Sequence, residues 1–247
     1  MMQQNKIQNG LMKQKALFNW SSGKDSALAL YKTLKEDQFE ITSLLTSINK
    51  EFQRISMHGV HFSLLEKQAE SLDFPLIKME IPKEPSMEEY SEIMSKTMND
   101  IKSKGVTHSI FGDIFLEDLR KYREDQLQSI GMKGVFPLWK QNTTDLINEF
   151  LSLGFKTIVT CVNETYLDKS FAGRIIDHDF IKDLPENVDP CGENGEFHTF
   201  TFDGPIFKKP IQFEVGETVK KTYPKPKSDE NEEDGEYVFW FCDLIEK

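Results

Sequence analysis

The sequence predicts an α/β protein: a parallel sheet flanked by helices, with a smaller α+β unit behind it. Three observations carry this. Short apolar, β-branched runs alternate with helix-period segments from residue 16 to residue 162. The first of these runs passes into the first helix through a tight polar turn. Beyond Gly173 the alternation stops and glycine-rich, strand-like sequence takes over. Strands alternating with helices of this length imply right-handed βαβ units and hence a parallel sheet.

Taken in order, Ala16-Leu17-Phe18 is the first apolar run, and Ala27, Leu30, Tyr31 and Leu34 mark one face of the helix after it. A second strand is expected over Ile41–Ile48 and a helix over His61–Leu72. Phe74–Ile81 reads as a third strand, closed by Pro82. Ser86 with Glu89 three residues on is a capping box. The helix it opens carries Tyr90, Ile93, Met94, Met98 and Ile101 on one stripe, and Gly105 ends it. Val106–Phe111 is a fourth strand, Glu117–Ile130 a charged helix, Gly134–Trp139 a short strand and Thr144–Leu153 a helix. Lys156–Val162 is a strong β run. Gly173–Asp183 reads as one more helix, and Val188–Thr201 as irregular. Ile211–Thr222 and Glu236–Ile245 read as a β pair joined by an acidic, proline-containing tip over 223–235, expected to be disordered.

Composition narrows the class. Hydrophobic residues at 38% and charged residues at 29% describe a soluble globular chain of 247 residues. No apolar run approaches the ~20 residues of a membrane helix. Residues 1–14 are polar, without the apolar centre of a secretory signal, and are expected to form a mobile tail. The three cysteines, Cys161, Cys191 and Cys242, are odd in number and widely spaced, which suits a reducing cytoplasm better than a disulfide framework or a zinc site. The formal charge is −11, but six acids fall within 229–236, leaving −5 for the rest. A mildly acidic body offers nucleic acid no long-range attraction.

Two stretches carry chemistry. The first is Asn19-Trp20-Ser21-Ser22-Gly23-Lys24-Asp25-Ser26, placed where a strand meets a helix N-terminus. First-turn amides lack intrahelical partners and sit at the positive end of the helix dipole. Ser21, Ser22 and Ser26 add hydroxyls, Gly23 permits close backbone approach, and Lys24 adds a cation, so the turn can hold phosphates. The plain alternative is a polar turn with a good N-cap. It is not a mononucleotide P-loop, because the spacing and the Gly-Lys-Ser/Thr end are missing. The turn resembles the Ser-Gly-Gly-x-Asp-Ser signature of the PP-loop ATP pyrophosphatases, with Ser22 in place of the first glycine. The second stretch is Asp189-Pro190-Cys191-Gly192-Glu193-Asn194-Gly195-Glu196-Phe197-His198-Thr199. Alone, it reads equally well as a surface loop with a turn signal.

Together with Met57-His58-Gly59, Gly112-Asp113-Ile114 followed by Arg120 and Arg123, and Pro137-Leu138-Trp139, these stretches resemble the diphthine–ammonia ligase family, in order from Lys15 to Ile245. The resemblance implies a HUP-type (Rossmann-like) sheet of about five parallel strands in the order 3-2-1-4-5. It implies an ATP-binding domain over 15–131 and a C-terminal substrate-binding domain over 132–247. The implied reaction is amide formation: a carboxylate is adenylated with loss of pyrophosphate, and ammonia then displaces AMP, with Mg²⁺ on the phosphates. On this reading Ser21, Ser22, Gly23, Lys24, Asp25 and Ser26 hold the phosphates. Met57 and His58 line the adenosine pocket, with Gly112 and Asp113 on the opposite rim. Glu193, Asn194, Gly195, Glu196 and His198 orient the acyl group and ammonia; the two carboxylates either help hold Mg²⁺ or face the ammonium, the role favoured for Glu196. Lys24, Glu193, Glu196 and His198 form the catalytic set, and no protein metal cage is expected. Asp113 and His198 stand where archaeal members carry Ala and Glu. The implied partners are ATP, ammonia and an acyl substrate, which is diphthine on an elongation factor in an archaeal or eukaryotic setting and another carboxylate in a bacterial one. A cytoplasmic enzyme and a homodimer suit the reading. Two rivals stay open: a PP-loop enzyme of tRNA modification, and a non-catalytic adenine-nucleotide binder. Arg120 and Arg123 read by default as surface-paired, His108 as a core histidine and Cys191 as packing.

Overall fold

Strand β1 (Gln14–Asn19) is apolar on both sides because both sides are covered. Ala16 and Phe18 join the larger core, and Leu17 faces a second core on the opposite face. The computed structural model describes residues 13–55, 58–224 and 236–247. Met1–Met12 of the expected tail, Met57 of the expected adenosine pocket and most of the acidic tip therefore lie outside the described residues. Gln14, placed in the tail from sequence, instead opens β1 and pairs with Phe39.

Helix α1 (Lys24–Glu36) follows, then β2 (Phe39–Asn49), the two-residue β3 (Arg54–Ile55) and α2 (Phe62–Leu72). After β4 (Leu76–Ile81) comes α3 (Met87–Ser103), opened by the expected capping box. Glu89 N–H donates to Ser86 Oγ at 3.1 Å, and Ser86 N–H donates to the Glu89 carboxylate at 2.9 Å. Then come β5 (His108–Ile110), α4 (Glu117–Ser129) and β6 (Lys133–Val135). The five parallel strands run β4-β2-β1-β5-β6, and β3 pairs antiparallel with the end of β2. Counted along the chain, that is the expected order 3-2-1-4-5. The order reverses between β1 and β5, where open α/β sheets form a ligand crevice.

The remaining elements are α5 (Thr143–Ser152), β7 (Lys156–Asn163), α6 (His178–Asp183), β8 (Phe197–Asp203), β9 (Phe213–Pro224) and β10 (Glu236–Glu246). Their strands form an antiparallel sheet, β8-β7-β10-β9. It shares the larger core with the parallel sheet, since Phe150, Phe155, Val159 and Phe200 cluster with Phe18, Ala27 and Leu30.

Four local expectations differ from the structure. The strand expected over Gly134–Trp139 is only Lys133–Val135, because Pro137 has no amide for a ladder and the chain turns, Trp139 N–H donating to Phe136 at 3.1 Å. The helix expected over Gly173–Asp183 begins only at His178, capped by Asp177. Residues 173–176 hydrogen-bond to β7 instead, with Gly173 N–H to Val159 O and Val159 N–H to Arg174 O, both at 2.8 Å. The stretch 188–201, expected to be irregular, contributes β8 from Phe197 onward. Tyr223 and Pro224, assigned to the tip, continue β9. His108 is a buried strand histidine, as expected, with its Nδ1 2.9 Å from Thr107 Oγ1.

Candidate active site

The Ser21–Ser26 turn stands at the crevice between β1 and β5. Asn19, the last residue of β1, fixes that junction by donating from Nδ2 to Ser109 Oγ (2.8 Å) and Ile110 O (2.9 Å). Gly23 is the N-cap of α1, and no side chain caps the helix. Ser26 Oγ donates to Gly23 O at 2.9 Å, and Ser21 Oγ lies 3.1 Å from Ser26 Oγ, so the hydroxyls brace the turn. A Cβ on Gly112 would come within 3.0 Å of Ser26 N and 3.1 Å of the Asp25 carbonyl carbon. Glycine there lets the end of β5 pack directly on the first turn of α1.

Ser22 explains why the related signature has glycine at its position. Its φ is +75°, a region costly for a residue with a Cβ. It is fully buried, and its Oγ is the one buried side-chain polar atom without a hydrogen-bond partner among the described residues. Ser22 does not line the cavity, so the expected phosphate-facing hydroxyl points into protein instead. Its carbonyl accepts from Thr201 N–H (2.9 Å) and from Gln68 Nε2 (3.1 Å).

The second motif folds back over this turn. Thr199, in β8, accepts the Lys24 amide on Oγ1 at 3.0 Å. Its carbonyl lies 3.2 Å from His58 Nδ1. Lys24 Nζ reaches the two carboxylate oxygens of Asp25 at 2.9 and 2.8 Å and also donates to Cys191 O. One lysine thus joins both motifs. Gln68 stitches them from beneath, accepting from Trp20 Nε1 (2.8 Å) and donating to Thr201 O (2.6 Å) as well as to Ser22. Nothing in its helical position in the sequence marked Gln68 for this role.

A cavity of about 900 Å³ opens at the junction. Ser21, Lys24, Asp25, Ser26, His58, Gly112, Asp113, Glu193, Asn194, Gly195 and His198 all line it, as the sequence anticipated. Its far wall comes from Tyr90, Met94 and Met98 of α3 and Leu119, Tyr122 and Arg123 of α4, none of them expected in the site. The α3 stripe held the signal: only Met98 and Ile101 of it are buried, and its upper half faces the cavity. Arg123 pairs with Asp113 and lies 4.5 Å over the Phe111 ring. Arg120 is engaged elsewhere, with Glu124 at 2.8 Å and over the Phe136 and Trp139 rings, in keeping with the default reading.

Glu196 is not brought to the cavity. It is fully buried, and Oε1 accepts from Asp189 N–H and Asn194 Nδ2, both at 3.0 Å, while Oε2 accepts from Asn194 N–H at 2.8 Å. Its carboxylate is the internal template of the 189–196 loop and lies off the cavity lining, out of reach of an ammonium there. Glu193 is the carboxyl of this motif that faces the cavity. Burial, followed by Asp25 and then Asp113 and Asp189, pushes its pKa up to about 8 against the pull of Lys24, so at neutral pH it is largely a neutral acid. Burial likewise raises Asp113, against Arg123. Burial opposes the charge on Lys24, but Asp25 and its neighbours outweigh it and hold the ammonium. His58 and His198 are both pushed toward the neutral form, by burial first and, for His198, by His58 and Lys24. Cys191 is buried, with its Sγ 3.3 Å from Thr143 O, and burial raises the thiol far from its usual range, which suits packing rather than nucleophilic attack.

The family model described as the diphthamide synthase N-terminal domain matches residues 12–134, and that of the diphthamide synthase C-terminal domain matches residues 142–225. Among curated proteins, the diphthine–ammonia ligases of Bos taurus and Homo sapiens are each 30% identical over 125 residues, 48% of this chain and 47% of theirs. That of Danio rerio is 27% identical over 169 residues, 61% of this chain and 65% of its own length. The match to the cattle and human proteins spans about half of their length.

Proposed function

The chain belongs to the diphthamide synthase family, and on that premise we propose that it is an ATP-dependent ligase forming an amide from a carboxylate and ammonia, with release of AMP and pyrophosphate. The observation that carries the reading is the double engagement of Lys24, whose ammonium and amide tie the phosphate-type turn to the Cys191–Thr199 motif across one cavity. A turn that served only as an N-cap would not need the second motif folded onto it.

The geometry supports the following division of labour. Residues 15–131 supply the nucleotide site and residues 132–247 the acyl-facing wall. Ser21, Ser26, the Lys24 side chain and the Asp25 and Ser26 amides of α1 receive the phosphates. His58 and Gly112 flank that turn. Glu193, carrying a proton, can lie beside an anionic acyl group or phosphate, where an ionised carboxylate would be repelled. Asn194 and Gly195 shape the wall next to it, and Glu196 holds them in place. Asp25 and Asp113 are the cavity carboxyl groups that would hold Mg²⁺ beside the phosphates. When bound, it would neutralise triphosphate charge. A carboxylate is a poor electrophile, so activation through the α-phosphate provides the leaving group, and the protein contributes positioning and charge.

The acyl substrate is proposed to be a diphthine-type carboxylate, as in the related diphthine–ammonia ligases. Among the described residues no helix is long and apolar enough to cross a membrane, and a cytoplasmic setting fits the three buried free cysteines. The test is calorimetric ATP binding to wild type and Lys24→Ala, then product identity on turnover. Loss of one charge-assisted phosphate contact should weaken binding by about 1.5–3 kcal/mol. AMP with pyrophosphate supports the ligase, whereas ADP with phosphate would overturn it.

A further inference from the structure

We propose that His58 and His198 together form the ammonium-binding and proton-accepting station of the cavity, a role the sequence reading gave to Glu196. The inference rests on the ligase reading and locates its nucleophile.

The two imidazoles arrive from opposite ends of the chain, His58 after β3 and His198 in β8. Their ring centroids lie 4.7 Å apart with planes tilted by 35°. Both line the cavity. His58 Nδ1 faces the Thr199 carbonyl at 3.2 Å, and a carbonyl can only accept, so Nδ1 carries the proton and Nε2 keeps its lone pair. The His198 ring has no hydrogen-bond partner among the described residues, although the rest of its loop is densely bonded. The pair sits over the phosphate-type turn, because a Cβ on Gly23 would come within 3.2 Å of His58 Cε1.

Their surroundings tolerate a small N–H-bearing cation. Lys24 is paired with Asp25 and Arg123 with Asp113, so the fixed cations facing the cavity are balanced, and the neutral Glu193 carboxyl adds a further acceptor. Both imidazoles are held neutral, largely by burial, and offer lone pairs rather than charge. Ammonium can donate to two such lone pairs at once. The stoichiometry also requires an outlet for two protons. When NH₄⁺ gives up one proton and the resulting ammonia attacks an acyl adenylate, the C–N bond forms, the bond between the acyl carbon and the phosphate oxygen breaks, and AMP leaves as a dianion. The amide keeps two of the four ammonium protons, and two must go elsewhere. The imidazoles take these protons one at a time: a ring accepts the proton that turns ammonium into the nucleophile and passes it to solvent at the cavity mouth before the proton shed as the amide forms is accepted, so the two rings are never charged together. Glu196, fully buried and off the cavity lining, can take neither.

The test needs no acyl substrate. The chain has five histidines, so ¹⁵N-histidine labelling gives a small set of imidazole signals to follow by NMR. Ammonium chloride is titrated against potassium chloride at matched ionic strength, potassium being close in size but without N–H donors. The expected result is a saturable shift of His58 and His198 with ammonium only, while His61, His108 and His178 stay still. His58→Gln and His198→Gln should each weaken the response of the remaining ring by about tenfold, the worth of one lost hydrogen bond. Equal responses to both salts, or no response of either ring to ammonium, would overturn the proposal. So would a tenfold loss of ATP affinity in His58→Gln, which would assign that ring to the nucleotide. Wild-type ATP binding, measured alongside, tests the ligase reading separately.

Discussion

Replacing Ser22 by glycine should stabilise the protein, an unusual outcome for a fully buried residue in a ligand-binding turn. Two costs fall on the wild-type side chain. Its Cβ is held at φ +75°, which disfavours an L-residue by roughly 1–2 kcal/mol. Its hydroxyl is buried without a partner, at a cost of about 1–3 kcal/mol. Against these stands the greater freedom of glycine in the unfolded chain, about 0.5–1 kcal/mol, together with some lost packing. The balance is a gain of about 1–3 kcal/mol, or roughly 2–4 °C in Tm per kcal/mol at this chain length. Ser22→Ala separates the terms, since it removes the orphan hydroxyl but keeps the Cβ in the left-handed region. The order of Tm should therefore be Ser22→Gly above Ser22→Ala above wild type, measured by calorimetry without nucleotide. A lower Tm for Ser22→Gly would refute the strain argument. Weaker ATP binding in Ser22→Ala would show that the hydroxyl turns out to a phosphate, as first expected from sequence.

Three further outcomes follow from the same geometry. Glu193 has a folded-state pKa of about 8, above its usual 4.5, so the folded protein holds the extra proton between those values. Its contribution to stability is complete below pH 4.5 and is lost as pH rises through 8, so urea titrations from pH 5 to 9 should show a decline that Glu193→Gln flattens. Equal slopes in the two proteins would contradict the burial argument. Gly112→Ala would push a methyl against Ser26 N and the Asp25 carbonyl carbon, shifting the first turn of α1, and ATP affinity should fall about tenfold, the equivalent of roughly 1.4 kcal/mol. Unchanged affinity would mean that the turn relaxes freely. Glu196→Gln turns an NH₂ group toward loop amides that need an acceptor, which should destabilise the protein by about 1–3 kcal/mol in chemical unfolding. A silent substitution would show that the carboxylate is not the template of the loop.

The parallel sheet was legible because its helices and strands carry their periods locally: β1 is apolar on both faces, and α3 announces itself by Ser86 and Glu89. The stretch after Gly173 was misread because its backbone partners lie in β7, and hydrogen bonds to a distant strand outweigh helical spacing. The site was half legible. Residue types and order pointed to the turn and the 189–199 loop, but nothing local distinguishes Glu193 from Glu196. The two differ only in where the chain turns between them, which leaves one carboxyl facing the cavity and closes the other around Asp189 and Asn194. Gln68, which holds both motifs, is an ordinary helical glutamine in sequence, and its role exists only once β8 lies against the turn.

That fold-back sets the order in which charge can enter the cavity. With Asp25, Asp113 and Glu193 lining it, an incoming triphosphate meets three carboxyl groups and two fixed cations, Lys24 and Arg123, each already paired. If all three acids were ionised, the cavity would repel its ligand, and the repulsion would be strong where water is scarce. Burial removes part of that charge by leaving Glu193 protonated near neutral pH. The same burial keeps His58 and His198 neutral, so neither adds a cation that would bind phosphate in place of ammonium. One physical cause, the covering of the turn by β8 and its preceding loop, thus makes one end of the cavity tolerant of anions and leaves neutral imidazole lone pairs at the other.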